Sequence, residues 1–303
     1  MTIRYINPRV IGCCIFGLLT ACASTPDTDD RADIGEEINN SSMDVMFATE
    51  YPVESELDAL ARADLALQEG EVEKALFFYV RALQFQPDNV DLLVYIGEIQ
   101  SQRDNLAMAK RAFLMARQHD PTHSGSLEGL GLIYMVEEMH DKAIVNLELA
   151  IANDDQCWRA HNALGVYADK AGSYSTAQEH YDAALLINPQ AAHVLNNRGY
   201  SKFLAGDIQG ATDDLLEAAS DRGFVQAWSN LGRIYATSGS YGDAIKTYKH
   251  VMSEARALNS TGYAAIENED FMQAEHFLTE AIRLSPTYFP AAEENLAALR
   301  DLQ

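Results

Sequence analysis

A small residue returns along this chain at a nearly fixed interval, and that rhythm restricts the fold more than any other property of the sequence. Ala63, Gly97, Gly131, Gly165 and Gly199 are each 34 residues apart, Gly232 follows after 33 and Gly262 after 30. A second small series, Ala75, Ala109, Ala143, Ala177, Ala211, Ala244 and Ala274, stands twelve residues after the first. A bulky series runs Tyr79, Phe113, Leu147, Tyr181, Leu215, Tyr248 and Leu278. Pro87, Pro121, Pro189 and Pro286 close several of the periods. Self-similarity at such a period means one supersecondary unit stacked on copies of itself.

The unit reads as two helices. Ala, Leu, Glu and Gln dominate the composition and only 8 residues are proline, which favours helix. The series are similar to those of the tetratricopeptide repeat, in which small residues in the middle of the first helix and at the start of the second let the two backbones touch and a bulky residue fills the gap beside them. Proline ends the second helix because it lacks an N–H and clashes with the preceding turn. Gly70, Gly172, Gly206 and Gly239 fall between the helices, where only glycine takes positive φ at low cost. Ser175 with Gln178, and Asp270 with Gln273, read as capping pairs at helix starts.

This pattern resembles the tetratricopeptide repeat (TPR). The resemblance covers residues 56–288, about seven repeats, and implies an all-α fold, a right-handed TPR superhelical solenoid. Residues 289–303, with Glu293, Glu294, Arg300 and Asp301 on one polar side, read as a capping helix that shields the last repeat. There are departures. Asp155 and Gly223 stand where a closing proline is expected, and Val251 replaces a small residue late in the sixth unit. The sixth unit is also three to four residues short, which marks 250–260 as either a candidate kink or softer joint or a tolerated deletion in a turn.

The N-terminus reads as a targeting segment, residues 1–21. Arg4 and Arg9 precede a short apolar stretch, Val10 to Leu19, too brief to span a bilayer comfortably. It ends in Leu19-Thr20-Ala21-Cys22, which resembles the lipobox of bacterial lipoproteins. That resemblance implies cleavage before Cys22 and a covalent lipid on its thiol. Ala23 and Ser24 follow, without the Asp that signals inner-membrane retention, so the expected location is the periplasmic face of the outer membrane. Cys13 and Cys14 lie in the removed segment, leaving Cys157 as a small packing residue in a repeat turn with no disulfide partner.

Residues 22–55 read as a lipidated Cys and a disordered acidic tether, carrying Asp27, Asp29, Asp30, Asp33, Glu36, Glu37 and Asp44 among Ser, Thr and Asn. A flexible segment of that length reaches roughly 30 Å. The net charge of the chain is -23, which argues against nucleic acid as a partner because phosphate contacts need clustered Lys and Arg. Acidity of this size serves solubility and disfavours acidic partners.

In TPR folds the first helix of each repeat lines the concave face, at fixed offsets from the small residue. Those offsets give Asn162, Val166 and Asp169 in the fourth repeat, and His193, Asn196, Tyr200 and Phe203 in the fifth. Ser229, Arg233, Asn259 and Tyr263 continue the series, and Leu132 and Met135 add an apolar part. Asn donates and accepts at once, which suits a peptide backbone. Tyr offers a rigid apolar body with a polar tip. As a set these residues form an expected partner-binding groove. Arg233 stands largely alone among polar neutrals, so a carboxylate-clamp specificity is not expected.

Catalytic patterns are missing from the sequence. It has no His-Glu-x-x-His, no Cys-x-x-Cys with metal spacing, no Gly-x-Ser-x-Gly and no phosphate loop. His119 and His123 are four apart, but Pro121 lies between them. The expectation is a protein that holds other proteins, with no enzyme activity, metal or cofactor beyond the lipid.

A lipobox, an acidic tether and a run of TPRs together resemble the TadD lipoproteins of tight-adherence (Tad/Flp) pilus systems and the related PilF/PilW-type pilotins. The longer tether and about seven repeats lean toward the former. The resemblance implies assistance to a pilus secretin at the outer membrane. The alternative is a general periplasmic TPR adaptor that scaffolds cell-wall enzymes, similar to NlpI-type lipoproteins.

Overall fold

The computed structural model of the protein describes residues 52–220, 224–285 and 287–302. The expected signal peptide, Cys22, the tether as far as residue 51, Gly223 and Pro286 lie outside the described residues. Among the described residues there are fifteen α-helices and no strand. They run α1 (Glu56–Gln68), α2 (Val72–Phe85), α3 (Val90–Gln102), α4 (Leu106–His119), α5 (Ser124–Val136), α6 (His140–Asn153), α7 (Trp158–Lys170) and α8 (Tyr174–Ile187). Then follow α9 (Ala192–Leu204), α10 (Ile208–Ala219), α11 (Val225–Thr237), α12 (Tyr241–Tyr248), α13 (Glu254–Glu267), α14 (Phe271–Leu284) and α15 (Pro290–Leu302). Among the described residues, those up to Leu92 form one compact unit and those from Leu93 onward a second.

The first unit is the α1–α2 hairpin. Ala59, Ala63 and Ala66 of α1 meet Ala75, Phe78, Tyr79 and Ala82 of α2 in its buried seam. The Tyr79 hydroxyl donates to Asp64 Oδ1 at 2.6 Å, so its polar tip is satisfied where its ring is buried.

In the second unit the phased series become contacts. A Cβ on Gly97, Gly131, Gly165 or Gly232 would stand 2.6 Å from Phe113, Leu147, Tyr181 or Tyr248 respectively, and one on Gly262 would stand 2.8 Å from Leu278. Each bulky side chain therefore rests on the bare backbone of its own hairpin's first helix. Ala109, Ala143, Ala177, Ala211, Ala244 and Ala274, the small residues opening the second helices, are all fully buried. The helices close on each other because nothing larger stands between them, and burial of the bulky series supplies about 25 cal/mol per Å² of apolar surface.

Turn chemistry is mixed. Gly70, Gly172, Gly206 and Gly239 have φ of 73 to 90°, as their placement between helices requires. Asp104, Glu138 and Glu269 hold the same turn position at φ near 60°, a conformation that costs a residue with a Cβ. Asp270 caps α14 by accepting the Gln273 N–H, as expected. Ser175 does not cap: it lies inside α8, whose N-cap is Ser173.

The short sixth hairpin loses its residues from the second helix. α12 has 8 residues, whereas α10 has 12 and α14 has 14. Val251 lies in the turn that follows, and α13 starts at Glu254 as one continuous helix through the rest of the 250–260 interval. His250 in that turn stacks on Trp228, with ring centroids 4.1 Å apart and planes at 16°. α15 covers the last hairpin: Ala292, Leu296 and Leu299 pack on Ala274, Leu278 and Ala281, while Glu293, Glu294, Arg300 and Asp301 are exposed.

Candidate protein-binding face

The expected groove residues sit on the first helices α7, α9, α11 and α13, one turn apart on each. An amide ladder ties three of these helices together. Asn197 Nδ2 donates to Asn162 Oδ1 at 3.0 Å, Asn196 Nδ2 to Asn197 Oδ1 at 3.3 Å, and Asn230 Nδ2 to Asn196 Oδ1 at 2.8 Å. Farther along, Asn295 of α15 donates to Asn259 Oδ1 at 3.0 Å. Asn196 is 8% exposed and engaged on both sides. It corrects the expectation of a free groove residue: it joins neighbouring repeats, because a buried amide is costly without partners. Asn162 and Asn259 are half-buried with one ladder bond each, keeping an edge toward solvent.

Beside the ladder runs an aromatic strip. Arg233 Nη1 donates to the Tyr200 hydroxyl at 3.1 Å, and its guanidinium carbon lies 5.8 Å from the Tyr200 ring centroid. The Tyr200 and Phe203 rings are 6.1 Å apart. Tyr263 is half-buried on α13, and burial first, then the neighbouring Glu267 carboxylate, hold its phenol above its ordinary range against the pull of Arg233. His193 is exposed, its ring 5.2 Å from Trp158. Tyr200, Phe203, Arg233, Tyr263 and His193 thus remain at least partly accessible on three successive first helices, four with an apolar body and a polar tip and Phe203 wholly apolar.

Asp169 is structural. Its Oδ2 accepts from the Tyr181 hydroxyl at 2.8 Å and its Oδ1 from Ser201, linking α7 to α8 and α9. Met135 is 7% exposed and belongs to the core, while Leu132 is half-buried at the surface. Cys157 is the N-cap of α7 and buried, and burial pushes its thiol up to about 11, so it is unreactive at neutral pH. His123 Nδ1 accepts the Ser126 N–H at 3.4 Å, a capping role.

One cluster on this face was not expected. Glu128, 5% exposed on α5, accepts the Ala160 N–H at 3.0 Å and the Arg159 Nε at 2.8 Å. Arg159 Nη2 also donates to Glu98 of α3 at 2.8 Å. The three residues come from three successive hairpins, 31 and 61 positions apart, a separation that no local pattern reports. Glu128 does hold the same offset as Asn162 and Asn196, and that was the signal available.

Comparison with known proteins agrees with this geometry. Residues 129–192 and 162–223 match the tetratricopeptide repeat family, and residues 225–258 match a second tetratricopeptide repeat profile. Residues 129–223 and 225–258 thus carry tetratricopeptide repeats, on a fold of the same kind. Human Tetratricopeptide repeat protein 36 is 33% identical over 96 residues, 30% of this chain and 51% of the relative. The human DnaJ homolog subfamily C member 7 is 24% identical over 213 residues, 65% of this chain and 43% of the relative. The chain therefore spans about half the length of the curated TPR relatives it matches. Among solved structures, PilF of Pseudomonas aeruginosa aligns with TM-score 0.54 and 18% identity over 71% of this chain and 97% of that one. PilW, described as a widely conserved type IV pilus biogenesis factor, aligns with TM-score 0.50 and 15% identity over 81% and 98%. Cut9 in complex with Hcn1 aligns with TM-score 0.59 and 18% identity over 85% and 51%. At these identities the likeness is one of TPR fold.

Proposed function

We propose that this TPR protein assists pilus biogenesis by holding a secretin or another pilus-assembly protein on the face built from α7, α9, α11 and α13. The carrying observation is the strip of Tyr200, Arg233, Phe203, Tyr263 and His193, side chains left accessible while the amide ladder beside them is internally satisfied. Aromatic side chains and Arg are the types that concentrate binding energy in interfaces. A fold that matches PilF and PilW along nearly the whole of those chains supports the pilus reading over a general adaptor of cell-wall enzymes. The lipobox-like Leu19-Thr20-Ala21-Cys22 supports a covalent lipid on Cys22 and a site at the periplasmic face of the outer membrane. The acidic residues after Cys22 would space the repeats from the lipid. Within pilus systems the length of that acidic segment favours the TadD-like, tight-adherence type.

The test is affinity capture from detergent-solubilised envelopes, with bound proteins identified by mass spectrometry, using wild type beside a His193→Ala, Tyr200→Ala, Tyr263→Ala triple variant. Recovery of a secretin by wild type and its loss in the variant, with unfolding temperature unchanged, is expected. Recovery of cell-wall hydrolases in its place, or equal secretin recovery by both proteins, refutes the reading.

A further inference from the structure

Beyond the aromatic strip, in the earlier repeats of the second unit, a cavity of about 150 Å³ opens to the surface. Phe113, Leu106, Leu132 and Val136 wall it, with bare backbone at Gly125 and Gly129 of α5. These two glycines fall outside the phased series, and each costs about 1 kcal/mol of helix propensity against Ala. At Gly129 the sequence has no room for a Cβ, which would stand 2.4 Å from the Phe113 ring. Ser101 and Gln102 also line it, and a mainly apolar cavity of this size admits a benzene-sized group.

The rim is charged, and its charges do not balance. Arg159 and Glu98 line the cavity, and Arg159 is shared between the carboxylates of Glu98 and Glu128, 2.8 Å from each. Glu128 is spent on Arg159 and the Ala160 N–H. Glu98 is the more exposed of the two carboxylates and touches Arg159 through Oε1. One guanidinium against two carboxylates leaves an excess negative charge beside an apolar hole, on a chain of net charge -23. An anionic group entering here meets an arginine already occupied.

The geometry points to a subsite for one large apolar side chain flanked by a cationic one, a basic-apolar segment of the protein partner. This rests on the reading that the first-helix face holds a protein segment, and names the chemistry of what its earlier repeats accept. The ring or aliphatic group fills the cavity between α3, α5 and α7, and the neighbouring Lys or Arg reaches Glu98. Like charge at a rim disfavours the wrong partner as strongly as opposite charge favours the right one.

The probes are 2-phenylethylamine and phenylacetate, which share a ring and differ in the sign of the charge. Both are titrated into the full chain carrying labelled Ile, Leu and Val methyl groups. Saturable shifts of the Ile133 and Leu132 methyls by the amine are expected, with phenylacetate roughly tenfold weaker, about 1.4 kcal/mol. Glu98→Gln should bring the two probes to within about twofold, and Leu132→Gln should remove saturation by either, both with wild-type helical circular dichroism. No saturable shift by either probe, or phenylacetate binding as tightly as the amine, overturns the proposal. Amine binding as expected together with failed secretin capture would leave the subsite standing and remove the pilus reading. Secretin capture without probe binding would do the reverse.

Discussion

Gly165 and Tyr181 occupy one shared space: a Cβ on the glycine would lie 2.6 Å from the tyrosine Cε1. The tyrosine cannot swing away freely, because its hydroxyl donates to Asp169 Oδ2 at 2.8 Å. Gly165→Ala should therefore destabilise the protein. Overpacking costs about 1–3 kcal/mol, against about 1 kcal/mol gained in helix propensity. Gly242→Ala, in α12 where a Cβ meets nothing within 4 Å, is the control and should be neutral or slightly stabilising. Urea midpoints of the two variants decide this, and equal midpoints would contradict the contact.

Glu138 turns the chain from α5 to α6 at φ 60°, in the place Gly172 fills at φ 73° between α7 and α8. Relief of left-handed strain of about 1–2 kcal/mol outweighs the added freedom of the unfolded chain. Glu138→Gly should raise stability by roughly 0.5–1 kcal/mol. Gly172→Ala should lower it by about the same amount, although a Cβ there meets nothing within 4 Å. Thermal unfolding of both variants checks the opposite signs.

The repeat was legible because one contact, small residue against bulky residue sixteen positions later, recurs with little change from Gly97 and Phe113 to Gly262 and Leu278. Sequence spacing transmits that contact directly. Three turns were harder to read, since glycine is favoured at positive φ without being required, and Asp104, Glu138 and Glu269 bear the strain. Ser175 misled because a capping pair looks the same two residues too late. The offsets placed the candidate residues on the first helices but did not give the state of each one. Asn196 and Asn230 are 34 apart in sequence, and only packing shows that they bond to each other while Tyr200 and Arg233 stay partly accessible beside them. Arg159 and Glu98 meet through the curvature of three hairpins, which no window of sequence contains.

His161 Nδ1 and His180 Nδ1 are 3.2 Å apart, so one ring donates and the other accepts while both are neutral. Burial lowers both imidazoles below their ordinary value. The neighbouring His180 adds to this at His161, and Glu179 and Glu148 oppose it at His180. The unfolded chain, with ordinary histidines of pKa about 6.5, binds protons that the fold resists. Stability is therefore fully retained above pH 7 and falls as the pH drops through about 6.5 toward the depressed folded values. A His161→Gln, His180→Gln variant should lose less stability than wild type between pH 7.5 and pH 5, read from urea midpoints. Parallel losses would show that the pair does not titrate as described.

Cys22 is the residue on which the proposed anchoring depends. Cys22→Ser should abolish lipid labelling with radioactive palmitate and move the protein out of the membrane fraction. A serine variant that sediments with membranes at the wild-type level would remove the lipoprotein reading and leave the face on α7 to α13 unaffected.

The central claim is that a pilus-assembly partner lies against Tyr200. Replacing that residue with the photoreactive p-benzoylphenylalanine, and in parallel the exposed Val145 on the second helix α6, and irradiating living cells measures it directly. The account predicts a cross-linked product from position 200 that contains the secretin or another pilus-assembly protein, and none from position 145. A product from position 145 with none from position 200 would contradict it.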